Sequence, residues 1–339
     1  MDGPPHGGTS VAKAGWARPS NGKGDDMTDS IVCGVDDSES AGGALRLAAR
    51  LSERLGLRQV LVHVAPVPAL SGAPLAAFAP PPLDPNEHER MLGAGRALLE
   101  QVASQEGLEN VAIRAELGDP AGLLVMIAEE EGAEMIAVGS RGRGRLTAGL
   151  LGSVSSWVAA NAPCPVVVVP EAVDRLPSAS EPLVCGVDDS ENAGEALQLA
   201  ARLSERLGTR LVLVHVVPAS TAPGASTVPG GGEELHEREV RKGQHLLAEL
   251  VVAAHLGTSV ERRVVVGQPA AGLAAIADEE GAGLLVVAGR GRSGLKAALL
   301  GSVSAELAGR ATCPVVIVPP GRAGANLEHD PARASFPAD

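Results

Sequence analysis

Residues 137–170 read AVGSRGRGRLTAGLLGSVSSWVAANAPCPVVVVP. A short apolar run ends in Gly139, a basic glycine-rich loop follows, and the chain resumes at Gly152-Ser153, where we predict the start of a helix. The stretch closes on a second apolar run, Val166–Val169. Because a helix that connects two buried strands is the unit of a parallel sheet, this stretch predicts an α/β fold.

The loop has the composition of an anion-binding site. Its spacing is Gly139-x-x-Gly142, nine residues, and then Gly152-Ser153. Glycines let backbone N–H groups approach an anion without a Cβ in the way. Gly152 and Ser153 lie at the predicted helix N-terminus, where unpaired N–H groups and the helix dipole favour negative charge. Arg141 and its basic neighbours raise the local positive potential. The simpler interpretation is a glycine-rich loop whose arginines are only solvated.

The same stretch occurs a second time. Residues 287–319 read VAGRGRSGLKAALLGSVSAELAGRATCPVVIVP. Gly291, nine residues and then Gly301-Ser302 repeat the spacing, whereas Ala288 stands at the position of the first glycine. A loop that recurs with its spacing intact favours the anion-binding interpretation over the solvated one.

The repeat extends over most of the chain. Residues 31–66 and 183–218 align without a gap and agree at 29 of 36 positions. Self-similarity of this length predicts two domains of the same fold, each large enough to bury its own core. We expect disordered tails at 1–28 and 320–339, domains at 29–170 and 183–319, and a linker at 171–182. Met27 begins the stretch Met27-Thr28-Asp29 just before the first predicted strand and is a candidate natural start.

Composition narrows the class of protein. The chain has 339 residues, 45% hydrophobic residues, no Tyr, two Phe, two Trp and a net charge of −13. This charge and the scarcity of aromatic residues argue against binding to nucleic acid or to an anionic membrane. Apolar runs of membrane-spanning length and a secretory leader are absent from the sequence, which predicts a cytoplasmic protein. The four cysteines lie in or beside apolar runs, and we expect buried, reduced thiols.

Each half has the pattern β-α-β-α-β-α-β-α-β, which predicts two tandem, doubly wound, parallel five-stranded sheets of the Rossmann-like type with helices on both faces. In the first half, Ser38 or Asp37 is expected to cap the first helix and Gly56 to end it. Asp119-Pro120 is expected to begin the third helix. The second helix is predicted at residues 86–106. The five strands are predicted at Ile31–Val35, Gln59–Val64, Val111–Leu117, Met135–Val138 and Val166–Val169.

Ligands of such sheets bind beyond the carboxyl ends of the strands, where the strand order reverses. If strands one and four are neighbours, Asp36 and the loop at Gly139 face one crevice. Asp36 also has a simpler interpretation, as part of the helix cap. His63 and His215 occupy equivalent strand ends, and a hydrogen-bonded structural role is favoured for both over a catalytic one.

Both halves closely resemble the universal stress protein family in its tandem, ATP-binding form. The resemblance rests on G-x-x-G, nine residues, then G-[ST], which the first half matches in full. It also covers VDDS after strand one, HV near the end of strand two, GSVS at the last helix and CPV before the last strand. Only the tails and the linker lie outside it.

The resemblance implies a nucleotide site in each half. In the first half, Asp36 would lie near the adenine and ribose, and Val64 against the base. Gly139, Arg141 and Gly142 would surround the phosphates, and Gly152, Ser153 and Val154 would close around them. The corresponding residues of the second half are Asp188, Val216, Ala288, Arg290, Gly291, Gly301, Ser302 and Val303. Ala288 departs from the pattern, and its methyl group would crowd the nucleotide if that position needs a positive φ.

The function that the resemblance implies is ATP binding in a cytoplasmic sensor or regulator of the stress response. Mg²⁺ is expected to arrive with the triphosphate, without a ligand set of its own. Catalytic residues and resident metal ligands are not predicted. The last strands, Val166–Val169 and Val315–Val318, are expected to pair the domains, and a homodimer and a regulatory protein partner are further expectations.

Three alternatives stay open. The first is a slow ATPase or a protein that phosphorylates itself. The second is a nucleotide-free interaction module. The third is a dinucleotide or flavin protein, since residues 289–294 spell G-x-G-x-x-G, although the acidic residue expected about twenty positions later is missing.

Overall fold

The computed structural model describes residues 29–66, 85–142, 150–171, 173, 178, 180–218, 231–256, 260–289 and 300–320. The predicted tails (except residue 320), half of the predicted linker and the candidates Arg290 and Gly291 lie outside these residues. The elements of the first half are β1 (Ser30–Gly34), α1 (Glu39–Leu55), β2 (Arg58–Ala65), α2 (Pro85–Gln105), β3 (Ala112–Leu117), α3 (Pro120–Glu130), β4 (Ala133–Gly139), α4 (Ser153–Asn161) and β5 (Val166–Val169).

The second half repeats this order. Its elements are β6 (Leu183–Gly186), α5 (Glu191–Leu207), β7 (Leu211–Pro218), α6 (Gly231–Ala253), β8 (Glu261–Gly267), α7 (Pro269–Glu280), β9 (Leu284–Ala288), α8 (Ser302–Arg310) and β10 (Val315–Val318). The alternation of strand and helix predicted from the sequence is therefore confirmed in both halves.

Local signals set the helix ends. The Ser38 hydroxyl accepts a hydrogen bond from the backbone N–H of Ala41 at 3.3 Å, and Gly56 ends α1 in the left-handed conformation with φ of 67°. Asp119 accepts from the N–H of Gly122 at 2.8 Å and is followed by proline at the first position of α3. These caps confirm the predicted start and end of α1 and the predicted start of α3.

One continuous sheet contains all ten strands, in the order β3-β2-β1-β4-β5-β10-β9-β6-β7-β8. Every pairing within a half is parallel, whereas β5 and β10 pair antiparallel, with Val315 opposite Val168 and Ile317 opposite Val166. The two predicted sheets are thus the halves of a single sheet, and they join through the predicted last strands. This pairing removes two strand edges that would otherwise be exposed.

The helices cover the two faces of the sheet in separate sets. The helices α1, α2, α5 and α6 pack on one face and α3, α4, α7 and α8 on the other, and each face has one hydrophobic cluster that runs through both halves. Consecutive valines of β5 alternate between the two clusters, as expected for a strand buried on both sides. The Arg206 guanidinium donates to the carbonyl of Leu55 at 2.5 Å and links α5 to α1 across the join.

The four cysteines are buried free thiols, as predicted. Cys33 and Cys185 are fully buried on the central strands of their halves, and burial raises the pKa of each thiol to about 12. Both remain protonated at neutral pH and act as small apolar core residues.

Candidate functional site

The sheet order places strands one and four side by side in each half. In the first half β1 pairs with β4, and the backbone N–H of Val35 still bonds to the carbonyl of Val62 at 2.8 Å before the chain leaves the sheet at Asp36. A Cβ built on Gly142 would lie 3.0 Å from Oδ2 of Asp36. The loop after β4 therefore meets the acidic residue after β1, which is the convergence predicted from the sequence.

Asp36 is also tied to the start of α1. Its Oδ1 accepts from the backbone N–H of Ser38 at 3.0 Å and from the hydroxyl of Ser38 at 2.5 Å. The same hydroxyl caps α1 and lies 3.4 Å from the carbonyl oxygen of Arg141. Asp36 thus orients the residue that caps the helix, while its Oδ2 faces the glycine loop.

The reason for glycine at position 139 is close packing. A Cβ there would lie 2.8 Å from the backbone carbon of Ser40 in the first turn of α1, and still closer to the Ser40 hydroxyl. That hydroxyl donates a short hydrogen bond to the carbonyl of Arg141. Gly139, Gly142 and Gly152 do not have a positive φ. Glycine is therefore needed at these positions because it lacks a side chain, and not because of its backbone freedom.

Helix α4 begins where an anion is expected. Its N-cap, Gly152, supplies no side-chain hydrogen bond to the first N–H groups of the helix, which in an α-helix have no intrahelical partner. The Gly152 N–H donates to the carbonyl of Ser140 at 2.8 Å, and the Ser155 hydroxyl donates to the carbonyl of Gly139 at 2.6 Å. These two bonds hold the amino end of α4 against the end of β4.

The second half repeats this scaffold with small changes. The Gly301 N–H donates to the carbonyl of Gly289 at 2.7 Å, and the Ser304 hydroxyl donates to the same carbonyl at 3.0 Å. Oδ1 of Asp188 accepts from the N–H of Ser190 at 3.1 Å and from its hydroxyl at 2.5 Å. Helix α8, like α4, begins after a glycine without a side-chain cap.

A cavity of about 590 Å³ lies at the carboxyl ends of β9, β6 and β7. Its volume is in the range of small-molecule sites. All the predicted residues of the second half that the structure describes line it together: Asp188, Val216, Ala288, Gly301, Ser302 and Val303.

Ala288 is accommodated without strain. It does not have a positive φ, so the condition under which its methyl group would crowd a ligand is not met. The methyl group packs at the edge of the hydrophobic cluster and lines the cavity. Asn192 stands in α5 where α1 has Ser40, so the glycine and the residue it packs against differ together between the halves.

Two predicted residues of the first half have additional structural roles. Val64 is only 9% exposed and belongs to the hydrophobic cluster on the α3 face. Arg141 donates from Nη1 to Oε2 of Glu171 at 3.0 Å, which engages its guanidinium with the second residue after β5.

The strand-end histidines have the structural role that the sequence favoured. Nδ1 of His63 lies 2.8 Å from the carbonyl of Val35, and Nδ1 of His215 lies 2.9 Å from that of Val187. A carbonyl only accepts, so each Nδ1 carries the proton. Each ring also packs closely against a glycine of the neighbouring helix, since a Cβ on Gly95 would lie 3.0 Å from the His63 ring.

The structure adds residues that the sequence did not single out. Ser40 and Ser155 fix the loop, and Glu239 and Lys242 of α6 line the second cavity. The repeated GSVS motif contained a signal for Ser155. Glu239 and Lys242 carry no such signal, because charges on an amphipathic helix are interpreted by default as a solvated face.

Within the described ranges, three or more His, Cys, Asp or Glu side chains do not gather in an arrangement that could hold a metal ion. A search of the helices in those ranges for a long apolar, membrane-spanning segment found none.

Similarity to known proteins agrees with this geometry. The model of the universal stress protein family matches residues 27–170 and 180–319. A universal stress protein of Mycobacterium tuberculosis is 30% identical over 304 residues, which cover 85% of this chain and 95% of that protein. A universal stress protein of Mycolicibacterium smegmatis is 31% identical over 295 residues, with 86% and 97% coverage.

Among solved structures, a universal stress protein from Archaeoglobus fulgidus is similar with a TM-score of 0.60 at 20% identity, over 87% of this chain and 99% of that one. This likeness supports the fold over the matched part of the chain. Because the family model matches two segments that together span most of the chain, and two relatives at least 30% identical cover most of it as well, the chain belongs to the universal stress protein family.

Proposed function

We propose that each half binds one nucleotide, ATP with Mg²⁺ in the first instance, and that the protein acts in the cytoplasm as a nucleotide-dependent sensor or regulator. The observation that carries this proposal is the convergence of six predicted residues on one cavity in the second half, at the edge where α8 begins without a side-chain cap. Uncapped helix N–H groups favour phosphate, and the apolar wall at Val216 suits a base.

We propose that the protein binds the nucleotide without hydrolysing it efficiently. In the first half the carboxylate of Asp36 is engaged by Ser38, and Nδ1 of His63 is engaged by a backbone carbonyl. Both groups are held in place by the protein itself, which suits recognition better than activation of an attacking water. A regulatory partner would then sense the nucleotide-bound surface.

Calorimetry with MgATP on two charge variants tests the proposal. Ser153 and Ser302 are the exposed first residues of α4 and α8. Ser153→Glu or Ser302→Glu adds a carboxylate that stabilises the helix through its dipole but repels phosphate. We expect each change to remove one of the two bound nucleotides, because the added carboxylate repels the phosphates at that helix.

Ser153→Gln and Ser302→Gln are the matched controls, because they add similar bulk without charge and should retain binding. If the two Glu variants together bind MgATP with wild-type stoichiometry, the nucleotide sites are not at these helices. ADP release by the wild type above that of the double Glu variant would instead establish a slow ATPase.

A further inference from the structure

The two candidate sites differ on the side formed by α2 and α6. A Cβ on Gly95 would lie 3.0 Å from Cδ2 of His63, and a Cβ on Gly243 would lie 2.9 Å from Cδ2 of His215. These equivalent contacts align the two helices residue by residue. On that alignment, Glu239 and Lys242 of α6 correspond to Met91 and Ala94 of α2.

Glu239 and Lys242 form an ion pair on the wall of the second cavity. Nζ of Lys242 lies 2.6 Å from Oε1 of Glu239, and both side chains line the cavity. The hydrogen bond from Lys242 lowers the pKa of Glu239, which favours the carboxylate form of that side chain. The wall therefore presents a carboxylate acceptor and an ammonium donor side by side.

The pair lies opposite the proposed phosphate end. Helix α6 packs on one face of the sheet and α8 on the other, and the cavity opens between them. Glu239 is one turn before Gly243, which contacts His215 next to Val216 at the end of β7. A nucleotide with its phosphates at α8 would thus direct its base towards Val216 and the pair.

We propose that Glu239 and Lys242 are specificity-determining residues that make the second site prefer guanine nucleotides, whereas the first site lacks this preference. This inference rests on the proposed nucleotide binding. Guanine presents two N–H donors beside a carbonyl acceptor, so the carboxylate accepts two hydrogen bonds while the ammonium donates to the carbonyl. Adenine offers the carboxylate a single amino group. Met91 and Ala94 make no such distinction.

The test measures the second site alone in the full-length chain. In a Ser153→Glu background, which closes the first site, MgGTP and MgATP are titrated by calorimetry. We expect GTP to bind about tenfold more tightly than ATP, the effect of one additional charged hydrogen bond. Glu239→Met/Lys242→Ala installs the residues of the first half and should abolish the preference while ATP binding persists.

The reciprocal change, Met91→Glu/Ala94→Lys in a Ser302→Glu background, should give the first site a preference for GTP. Equal binding of GTP and ATP by the second site, or tighter binding of ATP, overturns the specificity while the proposed nucleotide binding stands. Failure of both nucleotides to bind either site overturns both proposals.

Discussion

The two halves hold their loops with the same backbone bonds but different side chains. In both, a glycine N–H before the last helix bonds to a carbonyl at the end of the fourth strand, and a buried serine hydroxyl supports it. Yet Gly139 faces Ser40 in the first half, whereas Ala288 and Asn192 occupy these places in the second. The contrast teaches that this glycine serves the packing of helix on strand, and that other residue pairs can meet the same need.

The largest loss of stability is expected when Gly139 of the first half is replaced by alanine, the residue at the equivalent position 288 of the second half. In Gly139→Ala the new methyl group would meet the Ser40 backbone at 2.8 Å, a contact that only movement of α1 or β4 can relieve. We expect a loss of about 3 kcal/mol in the free energy of unfolding, measured by guanidinium denaturation.

The reverse change, Ala288→Gly, is the matched control and should cost only about 1 kcal/mol, since it removes one methyl group and adds backbone freedom. Equal losses in the two variants would mean that the close approach at Gly139 does not distinguish the halves.

The join between the halves is asymmetric as well. Glu134 at the start of β4 is only 7% exposed, and its counterpart is Gly283. Burial lowers the pKa of Arg202 in α5, and attraction to the Glu134 carboxylate partly offsets this. Arg50, the counterpart of Arg202 in α1, is exposed.

Arg202→Met should therefore destabilise the protein by about 2 kcal/mol, because it leaves a buried carboxylate without this cation. Arg50→Met should change the free energy of unfolding by less than about 0.5 kcal/mol. Thermal denaturation of the two variants side by side measures the difference, and similar transition temperatures would refute the asymmetry.

These comparisons also separate what the sequence could predict from what it could not. The caps at Ser38, Gly56 and Asp119 were predictable because each is a local signal, read from residues within one turn of the helix. The order of elements followed from apolar periodicity, and the join through the last strands from the family resemblance.

Contacts between distant residues were not predictable in the same way. Gly139 was assigned to phosphate binding, and its contact with Ser40, about a hundred residues earlier, became visible only in three dimensions. Glu239 and Lys242 were missed because their position over the cavity depends on how Gly243 packs against His215. Pairwise geometry of this kind leaves no pattern along one chain.

A modest effect is expected from removing either of the two serine hydroxyls that support the loops. Ser155→Ala and Ser304→Ala each remove one buried hydrogen bond, at 2.6 Å to Gly139 and at 3.0 Å to Gly289. Each should cost about 1 kcal/mol of stability. We also expect weaker nucleotide binding in the altered half alone, measured by calorimetry, because the amino end of its last helix is held less firmly. Weakening in both halves at once would show that the sites are not independent.

The most direct test of the central claim is to count nucleotides on the purified full-length protein. The protein is saturated with nucleotide, freed of excess, denatured, and its released adenine and guanine nucleotides are quantified per chain. We predict two nucleotides per chain in the wild type, one in either Ser153→Glu or Ser302→Glu, and none in the double variant. Absence of any bound nucleotide in the wild type, or two in the double variant, would contradict this prediction.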